Sequence, residues 1–359
     1  MISRRLPAIH QWMGPIRFRI TEFSSTFLHP RKNFRPVTTK VQVRFDPLTG
    51  RTGHFSHVGA IKAQELDLQQ YLKPETKGFC PFCLDQREAY TPKFADDLIP
   101  EGRLSRGEAL LIPNLFPYDV YSSIVVMTDE HLIPLEELTE RRLVDALTLG
   151  TDFLKKVARR DGSLNYHAGT WNYMPPSGGG LVHPHQQYFA TNSPGNLFRD
   201  ELTASAAFQE NCRTNYWMEL IQEEKDRRER YIGSTGRVEW LSSFVSMGVL
   251  GDILAIIPDC FSITDLTNEV VSDLTHGLTR VFGYFKDAGI SSFNATWLFG
   301  PSGQTHFSSH FRIIPRTFLN TRDFAPDLNF FQALLAEPVS VILPEQLCAD
   351  VMPYFSETN

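Results

Sequence analysis

SSIVVM at 122–127 and ELTERRLVDALTLGTDFLKKV at 137–157 are answered further down the chain by ILAII at 253–257 and DLTNEVVSDLTHGLTRVFGYF at 265–285. Leu138-Thr139 matches Leu266-Thr267 and Asp145 matches Asp273, each displaced by 128 residues. In both copies a β-rich run precedes a threonine suited to helix capping. Apolar stripes at helical spacing follow: Leu143, Leu147, Phe153, Leu154 and Val157 in one copy, and Val271, Leu274, Leu278, Phe282 and Phe285 in the other. The match runs on through Thr170-Trp171 against Thr296-Trp297 and Pro176-Ser177-Gly178 against Pro301-Ser302-Gly303, and it ends with His185 opposite His310. A strand, an amphipathic helix and further strands, used twice, predict an α+β fold of two duplicated domains whose antiparallel sheets are covered by helices. The period is far too long for a solenoid.

Outward from the repeat, three parts are expected. Residues 1–40, with Arg4, Arg5, Arg17, Arg19, Arg31, Lys32 and Arg35, read as a basic arm over the surface; 41–200 form the first repeat domain and 201–359 the second. VQVRF at 41–45 alternates as a strand does, and DPLTG at 46–50 supplies turn chemistry. A net charge of −6 leaves no global basic field for a nucleic acid, so small anionic substrates must be gripped locally. The early arginines, Gly14 and Pro15 interrupt any signal-peptide core, and no run of about 18 apolar residues suggests a membrane span. Five cysteines, with only Cys80 and Cys83 close together, fit a reducing cytoplasmic compartment and one metal site better than a disulfide framework.

The chemistry concentrates in four places. CPFC at 80–83 makes a knuckle that aims two thiolates at one ion; its rival, a thioredoxin-like redox pair, should open a long helix, whereas Leu84-Asp85-Gln86-Arg87 leads into a polar, proline-containing stretch. LVHPHQQYFA at 181–190 alternates His183 and His185 about Pro184, so an extended run turns one imidazole inward to a metal and the other toward a substrate. That makes His183 a ligand and His185 a nucleophile, with its second ring nitrogen held by a backbone carbonyl such as that of His183. Gln187, on the same face as His185, is placed to donate to a phosphate oxygen as negative charge develops. Gly178, Gly179 and Gly180 permit close approach of backbone N–H groups to a phosphate, although no P-loop or dinucleotide fingerprint is present. His131 in MTDEHLIPL completes a Cys2His2 set with Cys80, Cys83 and His183, which is coordinatively closed and hence structural.

Together RFDPLTG (44–50), CPFC (80–83), IPNLFP (112–117), TDEH (128–131) and HPHQQ (183–187) resemble the galactose-1-phosphate uridylyltransferase family of the histidine-triad superfamily. The resemblance implies a ping-pong nucleotidyl transfer of galactose metabolism. His185 takes UMP from UDP-glucose, glucose-1-phosphate leaves, and UMP passes to galactose-1-phosphate. It implies zinc at Cys80, Cys83, His131 and His183, Gln187 on the phosphoryl group, Asn172 on a phosphate, Asn114 in the segment that meets the nucleotide, and a homodimer; Phe82, Asn114 and Phe116 are candidate neighbours of the base and do not decide between uracil and adenine. It departs at Gly180, where a serine is usual, in HFSHVGAIK (54–62), which leaves Arg51 or Lys62 for an expected arginine, and at Gln332, where an acidic residue is usual. A second metal in the other half is not expected, because Ser308 and Leu298 stand where ligands would. A phosphorylase of the same superfamily, acting on ADP-glucose or a diadenosine polyphosphate, shares the mechanism and differs in base pocket and acceptor. A nucleotide-binding protein with His185 unused is the non-catalytic alternative.

Overall fold

The computed structural model of the protein describes residues 15–73, 78–322 and 324–356. Its centre is one sheet of ten strands. Across it the order is Leu104–Arg106, Ala109–Pro113, Tyr121–Val126, His185–Thr191 and Tyr166–Tyr173, then Ser292–Phe299, His310–Arg316, Ile253–Ile256, Val238–Ser242 and Tyr231–Thr235. Every pairing within it is antiparallel. The α+β duplication expected from the repeat is present. The antiparallel strands of the two halves join in this one large sheet, because the strand that follows the long helix in each half, Tyr166–Tyr173 in one and Ser292–Phe299 in the other, pairs with its counterpart, with Thr170 opposite Thr296 and Asn172 opposite Asn294. Each strand hides the other's edge, which spares both halves an open row of unpaired backbone groups.

The two long helices, Glu140–Arg160 and Asn268–Asp287, cover one face of this sheet. Both start as the sequence predicts: Thr139 Oγ1 accepts from Arg142 N at 3.5 Å and Thr267 Oγ1 from Val270 N at 3.4 Å. All ten stripe residues of the two helices are buried. Between them and the sheet lies an aromatic cluster in which the Trp171 and Phe293 rings meet edge to face at 4.8 Å and Phe293 stacks on Phe282 at 5.4 Å. Each such ring contributes about 1.5–3 kcal/mol by burial. At Gly150 the helix lies so close to the Tyr188 ring that an added Cβ would sit 2.1 Å from it.

Alternation along the strands sends the remaining side chains, among them His185, Gln187, Thr170, Asn172, Asn294, His310 and Arg312, to the opposite face. The candidate residues His185, Gln187 and Asn172 therefore lie on the face that the long helices leave uncovered.

Of the basic N-terminal segment, Arg4 and Arg5 lie outside the described residues. Arg19–His29 and Arg35–Phe45 pair as a long antiparallel hairpin around Pro30–Lys32 and Asn33, with almost every residue before Val41 exposed. VQVRF is the inner end of its second strand. The turn after it is held as DPLTG suggests: Asp46 Oδ1 accepts from the backbone of Leu48 and Thr49 and from Thr49 Oγ1, and Gly50 takes a positive φ of 73°. One expectation fails. Cys83 caps a helix, Leu84–Tyr90, where a polar stretch without one was expected after CPFC. The helix lasts seven residues, because Pro92 cannot continue it.

Candidate active site

The strand His185–Thr191 starts at the nucleophile candidate, and the loop before it carries His183. The two histidines point to different neighbours. His183 is fully buried and its Nδ1 lies 3.7 Å from Cys80 Sγ and 3.9 Å from Cys83 Sγ; His131 Nδ1 lies 3.3 Å from Cys83 Sγ. One ligand atom from each of Cys80, Cys83, His131 and His183 lies within 4.8 Å of the other three. Metal–ligand bonds of about 2.0–2.3 Å in a tetrahedron require ligand edges of about 3.3–3.8 Å, so the donor set fits a bound metal ion with little adjustment. The far side of His183 agrees. Its Nε2–H donates to the Thr128 carbonyl at 2.9 Å, which leaves Nδ1 with the lone pair a metal needs. Burial, with the Cys83 thiol beside it, pushes the Cys80 thiol up to about 11, and burial holds His183 down near 4. A cation at the centre would favour the thiolate and the neutral imidazole together. Arg87 braces the surroundings, donating to the Phe82 carbonyl at 3.1 Å and to Asp129 at 2.8 Å.

His185 faces the other way. Its Nδ1–H donates to the carbonyl of His183 at 2.8 Å, as the sequence suggested. A carbonyl only accepts, so this bond fixes the tautomer and leaves the Nε2 lone pair outward. Burial lowers the His185 pKa and keeps the ring neutral. The Phe82 ring lies 5.2 Å from it.

A cavity of about 250 Å3 opens here, and His185, Gln187, Asn114 and Phe82 line it, as do Phe116 and Tyr118. Gln187 has its polarity set. Phe116 N–H donates to Asn114 Oδ1 at 3.0 Å, so Asn114 presents its Nδ2, which donates to Gln187 Oε1 at 3.3 Å. The Gln187 amide nitrogen is left as the end that can meet an anion.

Not every expected residue lines this cavity. Asn172 lies on the neighbouring strand, two residues beyond Thr170, which pairs with Gln187. Gly178, Gly179 and Gly180 lie in the connecting loop outside the cavity wall. Gly178 caps a short turn with φ 83°, and Gly179 packs near the Asn172 carbonyl. Tyr90, Leu181 and Ile124 line the cavity and were not anticipated; isolated apolar residues carry no signal that separates wall from core.

In the second half His310 repeats the hydrogen bond of His185, with Nδ1 3.2 Å from the Ser308 carbonyl. It is fully buried, stacked on Trp217 at 4.4 Å, with Glu201 3.5 Å from its Nε2. Its strand carries Arg312 at the place of Gln187, in an ion pair with buried Asp252. The duplicated position has been turned into core.

No protein-family model matches the chain. An uncharacterized protein of Archaeoglobus fulgidus is 29% identical over 318 residues, covering 88% of this chain and 93% of that one. An ADP-glucose phosphorylase of Arabidopsis thaliana, solved with bound ADP-glucose, superposes with a TM-score of 0.66 at 17% identity over 89% of this chain and 99% of its own. A uridylyltransferase superposes with a TM-score of 0.60 at 20% identity over 87% and 98%. This chain has the uridylyltransferase fold. Within that fold the ten-stranded sheet, rather than the overall identity, is what sets His185 and Gln187 at a common cavity. Among the described residues, no helix of this uridylyltransferase fold is long and apolar enough to cross a membrane.

Proposed function

We propose that the protein is a nucleotidyltransferase that carries a nucleoside monophosphate on His185. One observation bears the reading: the 2.8 Å hydrogen bond from His185 Nδ1 to the His183 carbonyl, which leaves a neutral Nε2 lone pair at the cavity. In the first step Nε2 attacks the α-phosphorus of a nucleotide sugar; a P–N bond forms, the P–O bond to the sugar phosphate breaks, and sugar-1-phosphate leaves with the electron pair. In the second a phosphate oxygen of the acceptor attacks, the P–N bond breaks, and Nε2 is restored. The Gln187 amide donates to the phosphoryl oxygens as charge grows on them. Zinc is the ion we assign to Cys80, Cys83, His131 and His183; when bound it has no open position and supplies structure, locking the CPFC knuckle to the strand that presents His185.

UDP-glucose as donor, hexose-1-phosphate as acceptor and a homodimer complete the first reading. A second, adenylyl transfer from ADP-glucose to inorganic phosphate, is supported by the likeness to ADP-glucose phosphorylase. Intact-mass spectrometry of wild type and His185→Ala after incubation with UDP-glucose or ADP-glucose separates them. A UMP adduct on wild type alone supports uridylyl transfer, an AMP adduct supports the phosphorylase, and no adduct from either removes both readings.

A further inference from the structure

The amide of Asn172 is one end of a hydrogen-bonded chain whose side chains beyond it, Asn294, Arg316 and Asp327, all come from the second half of the molecule. Asn172 Oδ1 accepts from Asn294 Nδ2 at 2.6 Å, and the same nitrogen donates to the Ser177 carbonyl at 2.9 Å. Asn294 Oδ1 accepts from Arg316 Nη1. The guanidinium is gripped by buried Asp327: Nε lies 2.8 and 3.0 Å from its two oxygens and Nη2 lies 2.6 Å from Oδ1. Thr317 N–H adds a bond to Asp327 Oδ2 at 3.2 Å.

The direction of every bond in this chain is dictated by its members. A guanidinium only donates, so the end of Asn294 that meets Arg316 is oxygen. A backbone carbonyl only accepts, so the end that meets Ser177 is nitrogen. The two contacts are independent and agree. Asn294 therefore offers N–H to Asn172, and Asn172 must answer with oxygen. Among the described residues its own NH2 has no hydrogen-bond partner. Asn172 stands two residues along its strand from Thr170, the partner of Gln187, and so shares the sheet face of Gln187 and His185.

We propose that Asn294, with Arg316 and Asp327 behind it, is a positioning group that fixes the polarity of the Asn172 amide. Its effect is that Asn172 presents N–H, and not oxygen, to the phosphoryl group reacting at His185; the inference rests on the nucleotidyl-transfer reading for that last step. An uncontrolled primary amide can turn either way, and its oxygen would repel an anionic phosphoryl group where its nitrogen would bind it. The same logic stands on the other flank, where Phe116 N–H sets Asn114 and Asn114 sets Gln187. Two amides on either side of the nucleophile are thus held nitrogen-forward, one by its own half and one across the seam between the halves.

The test is the single-turnover rate of adduct formation on His185 with whichever nucleotide sugar labels the wild type, for Asn294→Ala and Asn294→Asp, alone and in an Asn172→Ala background. Asn294→Ala should slow labelling by about 10-fold, a fraction of the loss expected for deleting a donor outright. Asn294→Asp should be slower still, because a carboxylate facing Asn172 demands its N–H and turns its oxygen toward the phosphoryl group. A purely structural role predicts the reverse order, since Asp is the isosteric change. In the Asn172→Ala background neither substitution should alter the rate by more than about 2-fold. Labelling by Asn294→Asp near the wild-type rate, or effects that multiply in the double variants, would overturn the proposal. If wild type accepts no nucleotide from UDP-glucose or ADP-glucose, the functional reading fails separately. The relay is then judged by the side-chain amide resonances of 15N-labelled protein: the Asn172 pair, assigned by its loss in Asn172→Ala, must shift in Asn294→Ala and Asn294→Asp, and unchanged resonances would refute it.

Discussion

The Nδ1 atom of His185 lies 2.8 Å from the carbonyl oxygen of His183, while the ring of His183 is turned to the two cysteines on the other side. One residue thus faces the two cysteines with its side chain and holds the His185 ring with its main chain. On the proposed nucleotidyl transfer, replacing His185 with Ala removes the nucleophile and keeps that carbonyl in place. Adduct formation, read by intact mass, is expected to vanish while the circular dichroism spectrum stays that of wild type. A variant that still labels would remove His185 from its role.

Metal removal should act on the fold. Cys80→Ser, or prolonged chelation, is expected to lower both bound zinc, measured by elemental analysis, and the thermal midpoint. The reason is that a buried Cys2His2 set without its ion leaves two thiols and two imidazoles packed together without compensation. A metal-free preparation that melts with the wild type would show the cluster to be dispensable.

Asn114 tests the second amide. Asn114→Asp keeps the bond from Phe116 N–H and presents a carboxylate oxygen to Gln187, which must then turn its nitrogen away from the cavity. The expected result is a loss of at least about 10-fold in the labelling rate, with Asn114→Ala milder. Equal rates for Asp and wild type would mean that Gln187 is free to choose its own orientation.

Gly150 is a case where helix propensity and packing oppose each other. Alanine is favoured over glycine in a helix by about 1 kcal/mol, yet here its Cβ would enter the Tyr188 ring at 2.1 Å. Overpacking of this kind costs about 1–3 kcal/mol, so Gly150→Ala should lower the urea midpoint. A raised midpoint would show that the helix can move away from the sheet.

Acid should loosen the C-terminal helix first. Although burial pushes the Glu345 carboxyl up, its paired bonds from Arg44 at 2.8 and 2.9 Å and one from Arg230 at 2.7 Å hold it near 2, below the ordinary 4.5. A depressed carboxylate contributes stability that is complete above 4.5 and is lost as the pH falls from there toward 2. The stability gap between wild type and Glu345→Gln, measured by urea unfolding, should be widest near neutrality and shrink below pH 4.5. A gap independent of pH would show that the charge is not what Glu345 contributes.

How much of this could be read in the sequence depended on whether a signal was local. Capping threonines and helical stripes are local, and they point to the duplication; the donor types in CPFC, TDEH and HPH point to four donors, which the chain folds together. The helix after CPFC was missed because two turns are too short to show a period. ITEFSSTFLH at 20–29 reads in sequence as part of an arm, since serines and threonines blur the alternation of its strand. Asn294, Arg316 and Asp327 carried no signal at all. Their meaning depends on a pairing between strands more than a hundred residues apart, and an asparagine in a strand looks the same whether or not it faces another.

The seam between Tyr166–Tyr173 and Ser292–Phe299 also bears on how the protein is made. On the ribosome the first half is complete, with its thiols, histidines and glutamine, well before the partner strand has been synthesised. During that interval the strand Tyr166–Tyr173 stands as an open edge, the kind of surface that invites a wrong partner. Covering that edge is left to the second half, and a product that stops before residue 292 lacks the strand that pairs with it.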